Sequence, residues 1–95
     1  MGEISKFNGM KISMYPFNDG FHNEHDPAHI HIKSRGAIYK FDLLTKEQIY
    51  DSKYKKAMPP NDKRKLIKWM KQHEKELWDN WAIAKSGSNN FKTII

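Results

Sequence analysis

Cysteine is absent from this 95-residue chain. That excludes disulfide staples, thiol nucleophiles and cysteine-ligated zinc modules. There is no apolar run long enough to cross a bilayer and no signal-peptide pattern, so the expected setting is the cytoplasm, away from membranes. No glycine-rich nucleotide fingerprint, nucleophilic-serine motif or paired catalytic carboxylates can be read, and there is no internal repeat or low-complexity tract. What remains is a small basic protein whose chemistry has to come from imidazoles, lysines and arginines.

The length suits a single domain over 1–95, with a core over 3–85 and a loosely ordered tail over 86–95, in which Phe91, Ile94 and Ile95 are candidates for docking. A chain this short buries only about two-thirds of its unfolded surface, so its core is thin. Twelve aromatic residues, three of them tryptophan, supply large apolar area per position and offset this in part. They also suggest an interface, either in a homodimer or with another small protein.

The net charge of +6 is unevenly placed. Residues 1–50 carry six basic and six acidic side chains, and residues 76–95 carry two of each. The whole excess lies in 51–75, where nine basic residues face Asp51, Asp62 and Glu74. A localised basic block points to a polyanion such as RNA or DNA, or to an acidic protein surface. The bland alternative is a solvated helix face.

Along the chain, Ile4–Phe7, the turn signal Asn8-Gly9 and the alternating Met10–Tyr15 suggest a first hairpin. Residues 16–27 are a loop rich in Asn, Asp, Gly and Pro. His29–Lys33 and Ala37–Leu43 read as strands, and Gln48–Tyr50 as a short edge strand. If Arg35-Gly36 is a two-residue loop, opposing residues sum to 71. Ile32 then faces Tyr39 and Ile30 faces Phe41, which makes an apolar face. On the other face His29 meets Asp42 and His31 meets Lys40. A slip by one would set histidines against apolar partners, so the alternation favours this register.

After the break Met58-Pro59-Pro60, Asn61 is a candidate N-cap, and Asp62–Lys85 has helical periodicity. Leu66, Trp69, Met70, His73, Leu77, Trp81 and Ala84 form one stripe. A single long helix and two helices with a kink at His73-Glu74 both fit. His73, on that stripe, reads as a hydrogen-bonded core residue. The fold class is therefore α+β: a small antiparallel sheet of three to four strands with one face covered by a C-terminal helix or kinked helix pair.

The run Gly9-x-x-Ile12-x-Met14, then His25-x-Pro27-x-His29-Ile30-His31, and later Trp69 with Glu76-Leu77-x-x-x-Trp81, resembles a small bacterial family, domain of unknown function 4160. The similarity covers roughly residues 3–87, with Ala28 standing where a second proline is common. The resemblance carries no established activity. It implies compact two-gene operons with another small uncharacterised domain, and hence a toxin–antitoxin-type component with an operon-encoded partner.

The histidines invite three readings. His25, His29 and His31, spaced H-x3-H-x-H, are candidate ligands for a divalent metal such as zinc. Asp42, His22, Glu24 or Asp26 would complete or orient the set. Roots two residues apart on a strand lie nearly 7 Å from each other, so convergence needs suitable rotamers. The second reading is a small ribonuclease-like activity with His29, His31 and Asp42 as catalytic candidates. Asp42 would favour charged His29 and make it the better base, whereas Lys40 would disfavour charged His31. In the third, the imidazoles only tie the 16–27 loop to the sheet.

The anion-binding candidates are Arg35, Lys40, Lys63, Arg64, Lys65 and Lys68. Tyr39, Tyr50 and Tyr54 are candidates for base stacking. Trp69 and Trp81 read as core, and Trp78 as the better exposed tryptophan. Two functions follow: a toxin–antitoxin-type component engaging nucleic acid or a cognate partner, or a metal-binding or purely structural, regulatory interaction module.

Overall fold

A computed structural model describes residues 3–14, 28–50, 54–87 and 90–94. Five strands form one antiparallel sheet in chain order: β1 (Glu3–Phe7), β2 (Met10–Ser13), β3 (His29–Ser34), β4 (Ala37–Asp42) and β5 (Gln48–Ile49). Two helices follow, α1 (Pro60–Gln72) and α2 (Glu74–Lys85). The α+β class holds, but the sheet has five strands and not three to four. Both marginal segments pair: β1 joins β2, with a register shift between Glu3 and Ser5, and β5 adds Ile49 and Gln48 to Lys40 and Phe41.

Two tight turns set the register. Asn8-Gly9 (φ 48° and 76°) and Arg35-Gly36 (φ 51° and 78°) both adopt positive φ at each central position. That geometry matches the right-handed twist of the flanking strands. Gly tolerates it freely, whereas Arg35 pays for a left-handed backbone. The β3–β4 pairing is the one in which opposing residues sum to 71: His29 opposite Asp42, Ile30 opposite Phe41, His31 opposite Lys40 and Ile32 opposite Tyr39.

Alternation then sorts the side chains. Met10, Ile12, Ile30, Ile32, Tyr39 and Phe41 share one face, and all are buried. Phe7, on the same face, stacks on Trp69 of α1 with ring centroids 5.0 Å apart. The core continues through Leu66, Met70, Leu77, Trp81 and Ala84, so both helices contribute.

The helical region is two helices. His73 departs from helical geometry at φ −118° and ψ 27°, and α2 starts afresh with Glu74 and Glu76 in its first turn. His73 is half-buried, with its ring 5.1 Å from Trp69 and its Nδ1 3.0 Å from Glu76 Oε1. Asn61 is not the N-cap. The cap is Pro59 (φ −54°, ψ 141°), and Pro60 opens the helix. A proline at the first helical position suits its fixed φ and loses no helical bond. In consequence the first turn ends at Lys63, and Arg64 and Lys65 lie beyond it.

The expected loose tail is pinned over its described part. Asn80, fully buried, donates from Nδ2 to Lys92 O (3.0 Å) and accepts from Lys92 N at Oδ1 (2.8 Å). Ile94 N donates to Ile4 O (2.7 Å), Ser5 Oγ donates to Ile94 O (2.7 Å), and Ile94 is buried. Ile94 is buried and Phe91 packs against the core, so two of the apolar docking candidates are used, and backbone groups that no side-chain pattern marks secure them.

Candidate functional site

Two surfaces compete as the working site: the histidine row of the sheet and the outer face of α1. On the sheet, β3 brings His29 and His31 to one side, opposite Asp42 and Lys40 on β4. Their ring centroids are 5.0 Å apart in an edge-on arrangement. This side was expected to be polar and open, yet His29 is 5 %, His31 8 % and Lys40 6 % exposed. Trp81 of α2 lies 5.4 Å from the His29 ring, and Tyr54 lies 5.5 Å from the His31 ring. Lys40 Nζ sits 5.7 Å from the centroid of the Tyr54 ring, within cation–π range.

Lys40 therefore leaves the set of surface cations, and Tyr39 and Tyr54, both buried, leave the set of base-stacking candidates. Tyr50, 52 % exposed, stays in it. Trp69 and Trp81 are core as expected, and Trp78 packs half-buried against the core. The parts played by Trp81 and Tyr54 were not legible, because alternation tells which side a residue faces but not what covers it.

Asp42 stands opposite His29, but its Oδ1 accepts from the amides of Leu44 (2.7 Å) and Thr45 (2.9 Å). The carboxylate thus caps the β4–β5 turn, the common local use of aspartate. His22, Glu24, His25 and Asp26 lie outside the described residues. No cluster of three metal-ligating side chains occurs among the described residues.

The α1 face differs. Leu66, Trp69 and Met70 point inward, whereas Arg64, Lys65, Lys68 and Lys71 are exposed. At about 100° per residue, Arg64, Lys68 and Lys71 fall within about 60° of arc, opposite the buried stripe. None of these four cations takes part in an ion pair among the described residues. The helix's one acid, Asp62, is buried, and its Oδ2 lies 3.6 Å from Arg35 Nε. Arg35 itself projects into solvent, with a side chain 78 % exposed. Lys63 is half-buried and lines an open groove of ≈ 450 Å³ with Ile67, Lys46, Glu47, Gln48 and Tyr50.

No helix among the described residues is long and apolar enough to cross a membrane. No curated protein and no solved structure matches the chain. The model of one family, Domain of unknown function (DUF4160), matches residues 9–82, most of the chain, and the protein belongs to that family.

Proposed function

We propose that this protein is a toxin–antitoxin-type component that engages nucleic acid, and that the engaging surface is the outer face of α1. One observation carries this: Arg64, Lys65, Lys68 and Lys71 are exposed and lack carboxylate partners among the described residues. Like charges three or four residues apart destabilise a helix. A polyanion offsets that cost. The toxin–antitoxin setting rests on the family resemblance alone.

The test is binding of labelled RNA and DNA to the whole protein over a salt series. Log affinity is expected to fall linearly with log salt concentration. The Arg64→Gln/Lys68→Gln/Lys71→Gln variant is expected to flatten that slope by about 2 on a single strand. Salt-insensitive binding, or an unchanged slope in the variant, would refute the assignment.

The ribonuclease-like reading of His29, His31 and Asp42 draws little support from the geometry. General acid–base transfer needs contact with the substrate, and both rings are more than nine-tenths shielded. A second reading is favoured by the convergence of the two rings to 5.0 Å, closer than their roots about 7 Å apart. With His25 they would hold a divalent metal such as zinc. Elemental analysis of tag-free protein should then find stoichiometric metal that is lost in His29→Ala. Metal-free protein would remove this reading.

A further inference from the structure

The sheet carries a second line of positive charge that only the strand pairing reveals. Lys6 pairs with Lys11, Lys11 with Lys33, and Lys33 with Ile38, so three lysines stand side by side across β1, β2 and β3. Strand spacing makes this row about 10 Å long. Like charges directly opposite each other destabilise a sheet. Glu3 approaches Lys11 at 3.3 Å, but neither Lys6 nor Lys33 has an ion pair among the described residues, and both are exposed. The row ends on Ile38, an isoleucine left 48 % exposed.

Its position relative to α1 matters most. Phe7 stacks on Trp69, so α1 lies on the Phe7 side of the sheet. Lys6 neighbours Phe7 in the strand, and alternation puts the lysine row on the opposite side. Both sides meet at the ends of the two hairpins, where Arg35 projects between them and pairs with Asp62 in the first turn of α1. Positive charge thus continues from the lysine row, over the Arg35 turn, to the start of α1.

From this geometry we infer that the bound polyanion is a single-stranded nucleic acid draped over the hairpin ends. Its backbone lies on Lys6 and Lys33 on one side and on the α1 cations on the other. A duplex has a persistence length of about 150 base pairs, so turning it sharply over the end of so small a domain is costly. A single strand makes the same turn with little bending cost. This inference rests on the proposed binding by α1.

The experiment compares single-stranded RNA with an RNA duplex of equal length, using Lys6→Gln/Lys33→Gln and the α1 triple variant in the whole protein. On the single strand, Lys6→Gln/Lys33→Gln should flatten the salt slope by about 1.4, and on the duplex it should leave the slope unchanged. Its thermal midpoint should stay level or rise, because crowded like charges are removed. An unchanged single-strand slope, with the α1 variant still impaired, would overturn this inference and leave the α1 reading standing. Equal flattening on the duplex would overturn the single-strand assignment. Absence of salt-dependent binding by the unaltered protein would overturn both.

Discussion

The two helices are consecutive, of nearly equal length, and bury similar side chains, yet they use their polar residues in opposite ways. On α2, Lys75 pairs with Asp79 (2.9 Å), Glu74 with Lys46 (2.9 Å) and Glu76 with His73 (3.0 Å). The hydrogen bond from Lys75 to Asp79, with the attraction of that carboxylate, raises the lysine's pKa. Asn80 faces inward and clamps Lys92. On α1 five cations share one acid, and that acid is buried beside Arg35. Solubility alone therefore does not demand the α1 pattern, since α2 achieves a polar surface with charges matched. The paired charges and Asn80 of α2 hold the fold together, and the unmatched cations of α1 are what supports its proposed role in meeting something negative.

The inner faces of the two helices are equivalent, each burying one tryptophan. Trp69→Ala and Trp81→Ala should each cost about 3–5 kcal/mol in urea unfolding, a large fraction of the stability of a small domain. If Trp69→Ala were tolerated, α1 would be an appendage and the parallel between the helices would fail.

Next comes the clamp. Asn80→Ala leaves the Lys92 amide and carbonyl without their partner and should cost about 1–3 kcal/mol. Proteolysis should then cut at 86–94 before any other site. A variant with unaltered stability and cleavage would show that α2 does not secure the C-terminal segment.

A smaller effect is expected at the start of α1. Asn61→Glu adds an acid to the exposed first turn without removing a cation. It should raise stability by about 0.3–1 kcal/mol through the helix dipole while weakening nucleic-acid binding. Stability and binding moving together would break the claim that the α1 charge pattern sacrifices one for the other.

Much of this was legible in the sequence, and the reasons are local. The alternation of His29 and His31 with Ile30 and Ile32, joined to the turn Arg35-Gly36, specified the β3–β4 register, because a slip would reverse both faces. The helical stripe identified Leu66, Trp69, Leu77 and Trp81 as core. Three features were not legible. Burial of His29 and His31 depends on Trp81 and Tyr54, which are remote in sequence. Alternation puts Lys11 and Lys33 on one polar face once β2 joins the sheet, but their side-by-side pairing depends on β2 meeting β3 across the long 14–28 connection, which no local rule fixes. The partners that hold 90–94, beyond its apolar Phe91 and Ile94, are Asn80 and the open backbone of β1, which no local pattern marks.

The contrast between the helices is tested most directly by an amide NMR titration of the whole protein with single-stranded RNA. The largest shift changes are expected on residues 63–71, with 74–85 little affected. Changes concentrated on α2, or around His29 and His31 with α1 unmoved, would contradict it.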